Sequence, residues 1–123
     1  MTALLRFIPM VCIMGMIFYL SHQPYDLLQL PPISGSDKLL HVIVYGSLAA
    51  SFLYGLQPFF HKITRPVAGI AVVLFCLLYG LSDEFHQSFI PGRFTSGWDV
   101  LADAAGAFLV VLWWMRREVK GKR

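Results

Sequence analysis

Polar and ionisable residues recur at helical spacing in three places. Asp37, His41 and Tyr45 step by four along one face, Tyr79, Asp83 and Gln87 do the same with His86 alongside, and Asp99, Asp103 and Gly106 form a third stripe. Carboxylates beside imidazoles are the equipment of general acid–base chemistry. Glu84 or Asp83 would take a proton and His41 or His86 would shuttle it, which makes these four the candidate catalytic residues. Arg93 can hold a phosphate through two parallel hydrogen bonds, and Lys38 is a second counter-charge. With Asp37, Tyr45, Gln87, Asp99 and Asp103 they form the candidate binding set. The same imidazoles and carboxylates suit a borderline ion such as zinc or manganese. No HExxH-type pattern is present, however, so no metal site is assigned, and the sequence names no cofactor.

The elements that carry these residues are membrane helices. Of 123 residues, 57% are hydrophobic and only 14% charged, whereas a soluble domain carries about 25% charged residues. Four apolar runs, at about 4–20, 38–56, 66–85 and 98–115, each approach the roughly 20 helical residues that a bilayer core requires. Pro66 suits the first turn of the third run, where its missing N–H is not needed. Pro24, Pro31, Pro32, Gly35, Pro58, Pro91 and Gly92 punctuate the connections. The first run has the length of a secretory signal, but Tyr19-Leu20-Ser21-His22-Gln23 lacks a small-x-small cleavage pattern, so a retained helix is expected. The expectation is one all-α domain over residues 1–123, an integral membrane four-helix bundle. Cys12 and Cys76 have no spaced partner and read as apolar core residues. The formal charge of +3 comes without a basic stripe interleaved with aromatics, so nucleic acid is not an expected partner.

Charge gives the bundle a direction. With both termini placed in the cytoplasm, eight basic residues (Arg6, Lys62, Arg65, Arg116, Arg117, Lys120, Lys122 and Arg123) lie inside and two, Lys38 and Arg93, lie outside. Trp113 and Trp114 next to Arg116 fit an interfacial aromatic belt. The acids run the other way: Asp26, Asp37, Asp83, Glu84, Asp99 and Asp103 fall toward the outer side and Glu118 toward the inner. Counting about 20 residues back from Arg116 reaches the stretch 95–97, so Asp99 and Asp103 lie at membrane depth. An ionisable group there costs about 2.5–3.5 kcal/mol on insertion scales. Several together call for partners, water or a ligand. Gly46, Ala50, Ala102 and Gly106 allow close helix approach below a shared cavity.

A purely structural reading stands beside the functional one. Asp37–Lys38 and Glu84–Arg93 would be ion pairs that set helix packing, and Asp37 would cap the second helix. The number of ionisable groups at depth favours a site.

The segments Ser21-His22-Gln23-Pro24, Asp37-Lys38-Leu39-Leu40-His41 with Tyr45, Tyr79 through Gln87, Phe89-Ile90-Pro91-Gly92-Arg93, and Asp99 through Asp103 with Gly106 together resemble the VanZ-like family. The resemblance spans about residues 18–106. It differs where Asn is common at position 103 and Ser at position 22. The resemblance implies a bacterial, polytopic protein of the cytoplasmic membrane, and the name-giving member is associated with teicoplanin resistance. That points to the outer leaflet and to a lipid-linked wall precursor or other envelope component as partner, besides the bilayer itself. Three mechanisms are open: an enzyme acting on such a component, a non-catalytic binding or accessory protein, and a proton-linked transporter. The transporter ranks last because Val67–Leu74 and Phe108–Leu112 offer no polar path.

Overall fold

The computed structural model describes residues 2–24 and 35–121, with side chains through Arg117. Asp26, Pro31 and Pro32, and the side chains of Glu118, Lys120, Lys122 and Arg123, lie outside the described residues. A short 3₁₀ turn, Ala3–Phe7, leads into α1 (Ile8–His22). Then come α2 (Ser36–Leu56), extended by a 3₁₀ turn at Gln57–Phe59, α3 (Arg65–Gln87) and α4 (Gly97–Gly121). Pro9 and Pro66 each occupy a first helical turn, where proline is preorganised for helix and costs no hydrogen bond. Four segments are long and apolar enough to cross a membrane: Ala3–His22, Ser36–Phe59, Arg65–Gln87 and Gly97–Arg117.

Side-chain contacts establish an up-down-up-down bundle. At one end, Gln87 on α3 reaches Ser21 on α1, and Lys38 on α2 reaches Asp99 on α4. At the other end, Arg6 meets Gln57, and Arg65 lies over the Trp114 ring. Both termini therefore belong to this second, basic end. The α2–α4 pair is the most extensive, followed by α3–α4, while α1 packs more lightly along the side.

The distribution of polarity is inverted relative to a water-soluble fold. Buried polar residues include Ser21, Asp83, Glu84, Gln87, Asp99 and Asp103, while Leu4, Phe18, Ile70, Leu78, Phe85 and Phe108 are exposed on the outside. In water so much contiguous apolar surface would drive association; in hydrocarbon it is the stable face. The apolar centre is built from Tyr45, Leu48, Ala49, Leu53, Val72, Cys76, Ala107 and Val111, with Ile17 of α1.

Close α2–α4 packing rests on Gly46 and Gly106. A Cβ at Gly106 would collide with the Val42 carbonyl oxygen, and one at Gly46 would lie 3.3 Å from Val110. Two expectations change. Ala50 is exposed at the edge of this seam and Ala49 is the buried residue instead, because the rotation of α2 turns position 49 inward. Cys76 is buried as expected, but Cys12 is exposed: α1 is peripheral and directs much of its circumference away from the bundle.

Candidate functional site

The acidic end of the bundle surrounds a cavity of about 450 Å³. Its walls are partly apolar, with Ile17, Leu20, Leu40, Val44 and Phe94, and partly charged, with Asp37, Lys38, His41, Asp83, Arg93 and Asp99. All four helices contribute, through the C-terminal turns of α1 and α3 and the N-terminal turns of α2 and α4.

Helix α2 supplies a cation and an imidazole one turn apart. Lys38 Nζ donates to Asp37 Oδ2 at 2.7 Å and also to Asp99 Oδ1 across the bundle. The Asp37–Lys38 pair is therefore real, but Asp37 lies in the first turn of α2; Gly35 is the N-cap, in the left-handed conformation at φ 86°. His41 Nδ1 is 2.7 Å from Asp103 Oδ1. Asp103 is fully buried, and its Oδ2 has no hydrogen-bond partner among the described residues. It fits because Gly80 leaves room: a Cβ there would lie 2.6 Å from Oδ2. Below, Tyr45 is 1% exposed, its hydroxyl has no partner among the described residues, and its ring lies 6.5 Å from that of His41.

Helix α3 turns Asp83, Glu84 and Gln87 inward. Gln87 Nε2 donates to both Asp83 Oδ2, at 3.2 Å, and Ser21 Oγ, at 3.1 Å, so one amide joins α3 to α1. Glu84 Oε2 accepts the backbone N–H of Ser96 at 2.9 Å, while Oε1 is buried and unpartnered among the described residues. The loop after α3 makes this possible. It turns at Gly92, whose φ of 77° suits glycine, and the chain returns to seat Ser96 over Glu84. The same turn aims Arg93 at α1, where Nη2 donates to the Leu20 carbonyl at 2.9 Å and Nε stays buried without a partner among the described residues. Glu84 and Arg93 do not form the anticipated ion pair among the described residues; each has a backbone partner instead.

Of the eleven candidates, Asp37, Lys38, His41, Tyr45, Asp83, Gln87, Arg93 and Asp99 line the cavity, and Glu84 and Asp103 pack against its lining residues. His86 stands apart. Its Nε2 is 3.2 Å from His22 Nδ1, and its ring stacks on Phe18 at 4.7 Å and on His22 at 5.4 Å. It faces α1 rather than the cavity because it lies two residues, about 200° of helix, from Glu84. Ser21, Gly80 and Ser96 also build the site and were not among the candidates. Ser21 and Gly80 do lie within the segments that carry the family resemblance, which was the available signal.

His41, Glu84 and Asp99, one from each of α2, α3 and α4, present ligand-type atoms that all lie within 4.8 Å of one another. The site thus combines a mixed apolar and charged cavity, two cationic side chains and a tight imidazole–carboxylate cluster. A family model described as VanZ/LLP1 matches residues 6–117, which covers all four helices and every candidate residue. No curated protein and no solved structure gave a significant match.

Proposed function

The chain belongs to the VanZ/LLP1 family, and from that premise and the cavity's chemistry we propose that it acts on a lipid or lipid-linked component of the bacterial cell envelope, at the outer face of the cytoplasmic membrane. The observation that carries this reading is the cavity's double character. Ile17, Leu20, Val44 and Phe94 suit the chain-proximal part of an amphipathic molecule, and Lys38 and Arg93 suit an anionic head. Arg93 has a buried Nε with no partner among the described residues, a donor that an anionic oxygen would satisfy.

The basic end supports the orientation. Arg6, Lys62, Arg65, Arg116 and Arg117 stand there, against Lys38 and Arg93 at the cavity end, and positive charge is retained in the cytoplasm. Beside the cavity, Glu84 is the proton acceptor, with Oε2 held by Ser96 and Oε1 unpartnered among the described residues, and small side-chain rotations carry it to the cavity wall. His41, oriented by Asp103, passes the proton on. A proton relay through the bundle has less support, because the centre below Tyr45 is apolar: Leu48, Leu53, Val72 and Val111 fill it. The family resemblance extends the proposal to a contribution to teicoplanin tolerance.

The test compares lipid and wall-precursor extracts from cells that lack the protein, carry it, or carry Glu84→Gln or Asp99→Asn. A species whose level changes with the protein and reverts at least tenfold in both variants, at unchanged protein abundance, is expected. Extracts identical in all four strains would overturn the reading. A cysteine replacing Gly92 should react with an impermeant thiol reagent on intact cells, and one replacing Gly121 should not; the opposite pattern inverts the orientation.

A further inference from the structure

We propose that the acidic end holds a divalent cation of borderline character, such as Zn²⁺ or Mn²⁺, between His41, Glu84 and Asp99. The inference rests on the cavity reading above and deepens it, by naming what would anchor an anionic head group there.

Three donors converge from three different helices. Their ligand-type atoms lie within 4.8 Å of one another, close enough for small side-chain rotations to bring them onto one ion at bonds of about 2.0–2.2 Å. Among the described residues no other set of three or more such side chains does this. One imidazole and two carboxylates is a donor set for zinc, manganese or iron rather than for calcium or magnesium.

Each ligand is held by one atom and retains another. His41 uses Nδ1 toward Asp103, which leaves Nε2; Glu84 uses Oε2 toward the Ser96 N–H, which leaves Oε1; Asp99 uses Oδ1 toward Lys38, which leaves Oδ2. Carboxylate-to-histidine bonds of the His41–Asp103 kind orient the imidazole of metal sites and raise its basicity.

An independent observation points to a ligand. Glu84 is 7% exposed, and its Oε1 is fully enclosed with no hydrogen-bond partner among the described residues. A buried carboxylate oxygen left unmatched is costly, and a cation removes that cost. The charge balance agrees. Asp37, Asp83, Glu84, Asp99 and Asp103 are gathered here against only Lys38 and Arg93, an excess that a divalent ion reduces without opening the packing.

Three protein ligands leave further coordination positions for water or for a head-group oxygen. An ion there would act as a Lewis acid or as a source of hydroxide, so that with the ion bound the base would be that hydroxide rather than Glu84 Oε1, with Lys38 and Arg93 flanking the bound oxygen.

The experiment uses the full chain, purified in detergent through a tag without histidine, stripped by chelator and titrated with Zn²⁺ and with Mn²⁺. Equilibrium dialysis reads stoichiometry, and thermal unfolding reads linkage. One ion per chain and a raised melting temperature are expected. Glu84→Gln and Asp99→Asn should each weaken binding at least tenfold, while His61→Gln, on the exposed turn at the opposite end, should not change it. If either variant is not recovered folded, His41→Gln serves as the replacement ligand deletion. No binding to the wild-type chain, or equal binding by the ligand variants, overturns the site. Because no lipid is present, the two readings fail separately: altered extracts without metal binding remove only the metal, and metal binding with unaltered extracts removes only the envelope substrate.

Discussion

The two ends of the bundle handle charge in opposite ways. At the basic end the cations lie over aromatic rings: Arg6 is 5.1 Å from the Tyr54 ring centroid, Arg65 4.5 Å from that of Trp114, and Arg117 4.6 Å from that of Trp113. Long side chains of this kind cover apolar surface with their stems and keep the charge near the interface. At the acidic end the charges turn inward. Asp83, Glu84 and Asp99 are each 7% exposed, and Asp103 is fully buried. Aspartate and glutamate are too short to snorkel to the interface, and partners within the bundle offset part of their cost: Gln87 for Asp83, Ser96 for Glu84, Lys38 for Asp99 and His41 for Asp103. The basic end therefore carries its cations beside aromatic rings, in the manner of interfacial anchors. The acidic end gathers its ionisable groups around one cavity, and burial of so many is a poor route to stability alone.

That contrast can be broken by experiment. The largest effect is expected at the His41–Asp103 pair. His41→Leu or Asp103→Leu alone leaves a buried partner uncompensated and should cost about 3 kcal/mol or more in detergent unfolding. The double variant should cost less than the sum by about 1–3 kcal/mol. Additive losses would show that the two groups are not coupled.

A middle-sized effect is expected at the seam that brings α2 and α4 together below the cavity. Gly106→Ala pushes a methyl group against the Val42 backbone carbonyl and should destabilise by about 1–3 kcal/mol. The same change at Gly15, where a Cβ meets nothing within 4 Å, serves as the control.

The smallest effect belongs to the basic end. Arg117→Gln removes one exposed cation–π contact and should cost about 0.5–1 kcal/mol, with no change in the envelope extracts. If Arg117→Gln alters the extracts as strongly as Glu84→Gln does, the assignment of function to the acidic end fails.

Much of this was legible along the chain because bilayer solvation acts on composition and length. Four apolar runs are enough to require four spanning helices, since hydrocarbon leaves the backbone no other way to satisfy its hydrogen bonds. The helix ends fell within a few residues of the expected ones, apart from α4, which continues to Gly121. Helical spacing also gathered Asp37, His41, Asp83, Asp99 and Asp103 correctly, because each stripe is a local property of one helix. Placement of Cys12 and of Ala50 was not legible, since both depend on how much of a helix its neighbours cover.

Sequence alone thus determined the number of helices, the polarity of the two ends and the membership of the polar stripes, all of which follow from residue type and spacing. Tertiary structure decided how far each helix is rotated about its own axis. That rotation is set by packing across the bundle, at Gly46 and Gly106 and at Gly80 against Asp103, and no local pattern encodes it. It sends Glu84 inward and His86 toward Phe18 and His22, and it closes His41, Glu84 and Asp99 into one cluster although 43 and 15 residues separate them along the chain.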